Sequence, residues 1–125
     1  MVNVLVVDDE EDTRISIRDV LESEDYEVSE AKNAEECLEI ARREEPDIIL
    51  LDIMMPGMKV KDLVRELGSV EKLKNIKIIY LTAVSISEEE KKKIMEPDNI
   101  VGFIQKPFDM DELLKIISMN VAKRG

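Results

Sequence analysis

The sequence predicts a doubly wound α/β fold in which five parallel strands alternate with five helices. Short apolar runs bounded by turn residues, such as residues 48–51 after Pro46, are typical of strands buried on both faces. Segments with apolar residues at helical spacing lie between these runs. Regular alternation of strands and helices gives a parallel sheet covered on both sides, with right-handed crossovers. The chain of 125 residues has the size of one domain, and we expect residues 1–125 to form it.

Residues that favour turns and helix ends divide the chain into these elements. The predicted strands are residues 2–7, 26–29, 48–51, 76–81 and 100–104. Residues typical of helix ends border the helices: the acidic run 8–12 and Asn33 before the first two, Gly68 after the third, and Ser87 with Glu90 before the fourth. The fourth helix has few apolar residues beyond Ile94 and Met95, so we expect it to be the most loosely packed.

Composition and charge exclude several classes of function. The chain carries 29 acidic and 18 basic residues, a net charge of −11, so it repels nucleic acid and anionic membranes. It contains no histidine, which excludes a histidine general base, a histidine metal ligand and a Ser-His-Asp triad within this chain. Its one cysteine, Cys37, falls on the apolar face of the second helix, where we expect an inert buried thiol. With no bilayer-length apolar run and no signal peptide, we expect a cytoplasmic protein.

The segment of residues 47–57, DIILLDIMMPG, places a carboxylate where the third strand leaves the sheet. Asp52 follows the apolar run directly, and the Met-Pro-Gly sequence of residues 55–57 favours a turn. The edge at which parallel strands end is where folds of this kind bind ligands. Asp52 is therefore either a functional carboxylate or an ordinary residue that caps the strand and starts a turn.

Polar side chains follow four of the five predicted strands. Asp8 and Asp9 come after the first strand, Asp52 after the third, Thr82 after the fourth and Lys106 after the fifth. Parallel strands all end at the same edge, and in the expected strand order 2-1-3-4-5 the first and third strands are neighbours, so the three carboxylates should converge. Each residue also has an ordinary structural explanation. Asp8, Asp9 and Thr82 would cap helices, Asp52 would cap its strand, and Lys106 would be solvated. Five such residues at successive strand ends are nevertheless hard to obtain by chance.

Three carboxylates in one place repel one another unless a cation lies between them. Oxygen ligands without histidine or cysteine favour Mg²⁺, or else Mn²⁺. A metal ion, an ammonium group and a hydroxyl group around one carboxylate are what phosphoryl transfer to that carboxylate requires. In this hypothesis Asp52 attacks phosphorus, the metal ion and Lys106 neutralise the phosphoryl oxygens, and Thr82 donates a hydrogen bond to one of them.

Four short motifs stand at the ends of the predicted strands. They are VVDDE at residues 6–10, LLDIMMPGM at 50–58, LTA at 81–83 and QKPF at 105–108. In this order and spacing they resemble the receiver domain of two-component response regulators, over essentially the whole chain. The resemblance implies a flavodoxin-like fold. It also implies a signalling switch that promotes only its own phosphorylation and dephosphorylation and is not otherwise an enzyme.

The resemblance implies a role for each acidic residue at this edge of the sheet. Asp52 would be the phosphorylated aspartate. Asp9, Asp52 and the backbone carbonyl of Met54 would bind Mg²⁺, and Asp8 would act largely through water.

The resemblance also implies which residues respond to phosphorylation. Lys106 would contact the phosphoryl group, and Thr82 would follow it. Phe103, three residues before Lys106, matches the aromatic residue of the family that turns inward when Thr82 moves, although its position also fits half-buried strand packing. The change would alter the surface formed by the fourth helix, the fifth strand and the fifth helix.

The implied partner is a sensor histidine kinase or a phosphotransfer protein that presents phosphohistidine, because this chain has no histidine of its own. The output would pass to a downstream protein, to an output domain of a longer chain, or to a dimer induced by phosphorylation. We expect no direct binding to nucleic acid or to a membrane.

The sequence departs from the family pattern in three places. Val60, preceded by Lys59, stands where the family usually has glycine, so we expect a different turn into the third helix. Residues 96–101, EPDNIV, lack the usual Ala-Gly-Ala loop, so we expect a reshaped approach to the fifth strand. Met54, two residues after Asp52, has no polar group to guide a hydrolytic water, so we expect a long-lived phosphorylated form.

Three other functions agree less well with the sequence. A pseudo-receiver would use the same fold as a constitutive protein-binding module, but the complete set of acidic residues, Thr82 and Lys106 argues against it. Another phosphate or flavin enzyme of this fold would need a glycine-rich loop after the first strand, where Asp8 and Asp9 stand instead. A haloacid-dehalogenase-type phosphatase would need an Asp-x-Asp nucleophile motif at the same place, and this motif is absent.

Overall fold

Five parallel strands form one sheet through the centre of the protein. They are β1 (Asn3–Val7), β2 (Glu27–Ala31), β3 (Ile48–Asp52), β4 (Lys77–Thr82) and β5 (Ile100–Gln105), paired in the order β2-β1-β3-β4-β5. The predicted strand order is therefore confirmed. The structure is a computed structural model that describes residues 1–55, 57 and 59–121. Pro56 of the predicted turn and Met58 of the second motif lie outside the described residues.

One helix follows each strand. The helices are α1 (Glu11–Ser23), α2 (Ala34–Glu44), α3 (Val60–Ser69), α4 (Glu88–Ile94) and α5 (Met110–Val121). Residues of α2 and α3 pack into one apolar layer, and residues of α1 and α5 pack into another. Successive strand residues point to opposite faces, so the strands contribute side chains to both layers. The predicted doubly wound architecture is therefore confirmed. No described helix has the length and the apolar character needed to cross a lipid bilayer.

β3 lies in the middle of the sheet because its sequence is apolar on both faces. Residues 48–51 are fully buried, with β1 on one side and β4 on the other. Ile49 and Leu51 belong to the α2–α3 layer, whereas Ile48 and Leu50 belong to the α1–α5 layer. A strand without a polar face is stable only where both faces are covered. This burial places Asp52, the last residue of β3, at the centre of the edge where the strands end.

Side-chain caps start two helices where the sequence predicts them. The Asn33 side-chain oxygen accepts a hydrogen bond from the N–H of Glu36 at 2.8 Å before α2. The Ser87 hydroxyl oxygen accepts one from the N–H of Glu90 at 3.1 Å before α4. Each bond satisfies a donor that the first helical turn leaves without a partner. No residue of α4 is buried, which agrees with the loose packing expected of it.

α3 does not end at Gly68, the residue that the sequence predicts would stop it. The helix continues through Gly68 to Ser69. The Ser69 hydroxyl donates to the Glu66 carbonyl at 2.7 Å, and the N–H of Val70 donates to the Leu67 carbonyl at 3.3 Å. These bonds satisfy carbonyls of the last turn, so the helix does not need a left-handed glycine to end.

β2 extends two residues beyond its predicted end, to Ala31. Glu30 pairs with Val6 of β1, and its carboxylate forms ion pairs with Arg14 and Arg18 of α1. The strand accommodates this charged residue because the helix that covers it supplies the opposite charge. An apolar pattern along the sequence carries no sign of such a pairing.

The turn into α3 contains Gly57 with a φ of 75°, a left-handed conformation that glycine adopts without strain. Lys59 is extended, and Val60 is the first residue of the helix. Val60 is half-buried against the α2–α3 layer. The residue found in place of the family's usual glycine therefore packs against the core.

The segment between α4 and β5, which lacks the family's usual loop, forms a turn held by hydrogen bonds. The N–H of Ile100 donates to the Pro97 carbonyl at 3.0 Å. The Asn99 carboxamide donates to the Ile76 carbonyl at 3.0 Å, and so ties the turn to the start of β4. These bonds set the path of the chain into β5.

Cys37 is fully buried on α2, and burial raises the pKa of its thiol to about 12. We expect the folded protein to resist iodoacetamide at about pH 8, because the reactive thiolate is both rare and shielded from the reagent. Mass spectrometry should detect one adduct per chain only after denaturation in urea. Alkylation of the native protein as fast as that of the denatured protein would contradict the buried position of Cys37.

Candidate functional site

Three polar residues at the ends of neighbouring strands are buried: Asp8, Asp52 and Thr82. Each accepts a hydrogen bond from the backbone N–H two residues later: Asp8 Oδ1 from Glu10 at 2.9 Å, Asp52 Oδ1 from Met54 at 2.9 Å, and Thr82 Oγ1 from Val84 at 3.1 Å. These bonds are the turn chemistry expected of aspartate and threonine. Both carboxylates keep their second oxygen, Oδ2, for other contacts.

Lys106 joins the two buried carboxylates. Its Nζ donates to Asp8 Oδ2 at 2.6 Å and to Asp52 Oδ2 at 3.3 Å, and it lies 3.6 Å from Glu10 Oε1. Lys106 follows β5, so its long side chain reaches across the end of β4 to β3 and β1. The Lys106 N–H donates to the Thr82 carbonyl at 2.6 Å, which anchors the backbone from which this side chain extends.

The positive charge of Lys106 is stabilised by its partners. Burial by itself lowers the pKa of this ammonium group, but the hydrogen bond and charge of Asp8, together with the charge of Asp52, outweigh burial and raise the pKa above its usual value. A raised pKa means that the stability from these ion pairs is fully present below the unfolded-state pKa of lysine. It is lost only as the pH rises through the higher folded-state pKa. Lys106 is therefore a cation throughout the neutral range.

Asp9 brings a third carboxylate to this group. One oxygen each from Asp8, Asp9 and Asp52 lie within 4.8 Å of one another. Asp9 is exposed, and its side chain has no hydrogen bond or ion pair with the described residues. Carboxylate oxygens suit a hard divalent cation, so the donor set fits the Mg²⁺ that the sequence predicts. Residues 1–55, 57 and 59–121 contain no second group of three acidic, histidine or cysteine side chains close enough to hold an ion.

Thr82 and Phe103 lie outside this group of charges. Within the described part of the chain, the Thr82 hydroxyl has no hydrogen bond to Asp52 or to Lys106. Phe103 is half-buried on β5 against the α2–α3 layer, and Lys91 Nζ of α4 lies 5.2 Å from the centroid of its ring. A cation at this distance is attracted to the face of an aromatic ring. Phe103 therefore links β5 to α4.

Met54 presents its backbone, and not its side chain, to Asp52. The Met54 N–H donates to Asp52 Oδ1 at 2.9 Å. The Met54 side chain is 53% exposed. The position two residues after Asp52 therefore carries no polar side chain that can bind water.

The sequence did not predict three charged residues near the site: Glu10, Arg14 and Glu30. Glu10 faces Lys106 at 3.6 Å. Arg14 Nη1 donates to the backbone carbonyl of Asp8 at 2.7 Å, and Arg14 Nε donates to Glu30 Oε1 at 3.1 Å. The one signal in the sequence was an arginine shortly after the acidic run, and it indicated no particular partner.

An open groove of about 500 Å³ lies beside Lys106. Its walls are the start of α1, with Thr13 and Ser16, and the segment that leads into α5, with Pro107 and Phe108. Because Lys106 lines the groove, a side chain of another molecule has room to approach this edge of the sheet.

A model of the response regulator receiver domain matches residues 4–118. The chain therefore belongs to the receiver domain family of two-component response regulators, whose members act as signalling switches. The family resemblance seen in the four motifs is confirmed.

Relatives and solved structures match this chain over most of their length. The chain is 31% identical to sporulation initiation phosphotransferase F of Bacillus subtilis over 112 residues, which cover 88% of this chain and 86% of that protein. It is 28% identical to the polar-differentiation response regulator DivK of Brucella anthropi, with 92% of each chain covered. The chemotaxis protein CheY4 of Vibrio cholerae matches with a TM-score of 0.87 and 30% identity over 97% of this chain and 99% of that one. The response regulator TrrA of Thermotoga maritima, solved in complex with Mg²⁺ and BeF, matches with a TM-score of 0.80 and 32% identity over 97% of this chain and 100% of that one.

Replacing Lys106 by methionine removes the cation and keeps much of the side-chain volume. Asp8 and Asp52 then remain as buried carboxylates without their cationic partner, so we expect the free energy of unfolding to fall by about 3 kcal/mol at neutral pH without divalent metal. Urea denaturation followed by circular dichroism measures the change. Lys115→Met, at an exposed lysine of α5, is the matched control and should change stability by less than about 0.5 kcal/mol. A Lys106→Met protein as stable as this control would show that the carboxylates need no cation.

Proposed function

We propose that this receiver domain is a switch in which Asp52 accepts a phosphoryl group from the phosphohistidine of a sensor histidine kinase or a phosphotransfer protein. One observation carries the proposal: Asp52 is buried, Lys106 Nζ lies 3.3 Å from its Oδ2, and the carboxylates of Asp8 and Asp9 lie beside it. Transfer of an anionic phosphoryl group needs such a carboxylate, with positive charge held where negative charge develops.

In the proposed step an oxygen of Asp52 forms a bond to phosphorus while the phosphorus–nitrogen bond to the partner's imidazole breaks. The electron pair of the broken bond goes to that nitrogen, and an imidazole protonated on its other nitrogen leaves as the neutral ring. Lys106, whose raised pKa keeps it charged, neutralises one phosphoryl oxygen. The Thr82 hydroxyl donates a hydrogen bond to another.

Asp9, Asp52 and the backbone carbonyl of Met54 would hold Mg²⁺ in this proposal, and Mn²⁺ shares the preference for oxygen ligands. The bound ion supplies positive charge against the phosphoryl oxygens. Both oxygens of Asp8 already accept hydrogen bonds, one of them from Lys106, which favours a role through water for this residue. The three converging carboxylates support the assignment, as does the relative TrrA, which was solved with Mg²⁺ and BeF.

The phosphoryl donor lies outside these 125 residues, because they contain no histidine. The groove beside Lys106 supports this proposal, since it gives a partner side chain access to the edge of the sheet. The chain promotes only its own phosphorylation and dephosphorylation and acts on no other substrate.

Phosphorylation of Asp52 would shift Thr82 and then Phe103, and so change the surface formed by α4, β5 and α5. α4 buries none of its residues, so little apolar packing holds it in place. Lys91 of α4 lies over the ring of Phe103, so a movement of the ring reaches α4 directly. The altered surface would bind a downstream protein, an output domain or a second copy of the chain.

Intact mass spectrometry after incubation with acetyl phosphate tests the phosphoacceptor. We expect a gain of one phosphoryl group in Mg²⁺ and no gain in EDTA, because the acidic site needs a cation to admit an anionic donor. Asp52→Asn should gain none, since its amide is a poor nucleophile. Asp62→Asn, at an exposed aspartate of α3, is the control and should be modified like the wild type. Failure of the wild type to gain mass under any condition would contradict the proposal and favour a pseudo-receiver that binds its partner unmodified.

The residue at position 54 should set the lifetime of the phosphorylated form. Met54→Asn and Met54→Glu place a polar group where it can orient an attacking water, so we expect the phosphoryl group to be lost at least about tenfold faster. Intact mass followed over time after removal of the donor gives the rate. Met54→Leu is the matched control and should decay like the wild type. Equal rates in all four proteins would rule out this role for the position.

A further inference from the structure

The backbone of Asp8 is fixed by contacts from two different elements. Its N–H donates to the carbonyl of Ala31, the last residue of β2, at 3.1 Å. Its carbonyl accepts a hydrogen bond from Nη1 of Arg14 on α1 at 2.7 Å. This carbonyl belongs to the planar peptide unit that joins Asp8 to Asp9. Its direction therefore also fixes the backbone nitrogen and Cα of Asp9.

Arg14 is itself held by Glu30 of β2. Arg14 Nε donates to Glu30 Oε1 at 3.1 Å, and the two side chains are only 12% and 23% exposed. Glu30 pairs in the sheet with Val6 of β1, two residues before Asp8. A planar guanidinium group that binds two acceptors through two of its nitrogens can adopt few orientations. The Asp8 carbonyl is therefore held by a chain of contacts that begins in the sheet.

Asp9 depends on this backbone for its position. It is exposed, and its side chain makes no hydrogen bond or ion pair with the described residues. Asp8 and Asp52, in contrast, are held by Lys106 and by the N–H groups of their own turns. Among the described contacts, only those of the backbone keep the Asp9 carboxylate close to the other two.

We propose that Arg14, oriented by Glu30, is a positioning residue that pre-organises Asp9 for a divalent cation. The inference rests on the proposed function, since the cation is the Mg²⁺ of that site. Groups that hold metal ligands in place change metal affinity by about ten- to a hundredfold when they are removed. The competing explanation is that the pair of Arg14 and Glu30 only fastens α1 to β2.

The charge of Arg14 and its positioning role predict opposite effects of its removal on the affinity for Mg²⁺. Arg14 is a cation, so by charge alone its removal tightens the binding of Mg²⁺ to the nearby carboxylates. Loss of its bond to the Asp8 carbonyl frees Asp9 to move and so weakens binding. A weaker affinity for Mg²⁺ after the loss of a positive charge is therefore a signature of positioning.

Isothermal titration of the full chain with MgCl₂ separates these effects. We expect Arg14→Met to bind Mg²⁺ about tenfold more weakly than the wild type. Arg18→Met is the matched control, because Arg18 also pairs with Glu30 from α1 but has no bond to Asp8 among the described residues. Its affinity should stay within about twofold of the wild type, as expected for a more exposed ion pair.

A second pair of variants keeps the charge constant. Arg14→Lys retains one donor nitrogen but not the two-pronged contact, so its affinity should lie between those of Arg14→Met and the wild type. Arg18→Lys should bind Mg²⁺ like the wild type. Circular dichroism without Mg²⁺ establishes whether each variant is folded. If Arg14→Met is not folded, the comparison of Arg14→Lys with Arg18→Lys decides the question.

Two results would overturn the proposal in distinguishable ways. Wild-type or tighter affinity for Mg²⁺ in the folded Arg14 variants would leave Arg14 as a structural fastener and leave the proposed function intact. Absence of Mg²⁺ binding by the wild-type chain would overturn both the positioning role and the Mg²⁺-dependent reaction.

Discussion

The ion pairs of Lys106 with Asp8 and Asp52 are the contacts on which the rest of the site depends. Both carboxylates are buried, and buried like charges repel each other unless a cation lies between them. Lys106 supplies that cation from a side chain long enough to reach both. The carboxylates are fixed at strand ends, whereas the ammonium group sits at the end of a flexible stem. In the proposed reaction the same lysine can therefore turn towards an incoming phosphoryl group.

The structural and functional interpretations of the strand-end residues are compatible. Asp8, Asp52 and Thr82 each hold their own turn by accepting a hydrogen bond from the N–H two residues later. For the two aspartates this bond uses Oδ1 and leaves Oδ2 for Lys106, so one side chain serves both the turn and the charged group. Lys106 is different, because its ion pairs and low exposure of 14% contradict the explanation of an ordinary solvated lysine.

Sequence patterns did not predict strand ends and side-chain contacts that depend on a partner distant in the sequence. The end of β2 was missed because Glu30 is accommodated by arginines of α1, and no local pattern records that pairing. The contact between Arg14 and the Asp8 carbonyl was missed for the same reason. The error at Gly68 was local, since other hydrogen bonds end α3 at Ser69. The ends of helices and strands shift when alternative hydrogen bonds compete there, whereas long apolar periodicities are not affected by such competition.

The sequence by itself determined the alternation of five strands with five helices, the edge at which the acidic residues gather and the family, and the expected strand order came with the resemblance to that family. These features follow from apolar periodicity, from the parallel alternation of strands and helices, and from short motifs that are all local. Only the tertiary structure decided which atoms meet at that edge. Lys106 and Asp8 are 98 positions apart, and their contact requires β5 and β1 to lie in one sheet with β3 and β4 between them. Contacts of this kind arise from the packing of whole elements, so the sequence predicts that these residues share an edge of the sheet but not which of their atoms are in contact.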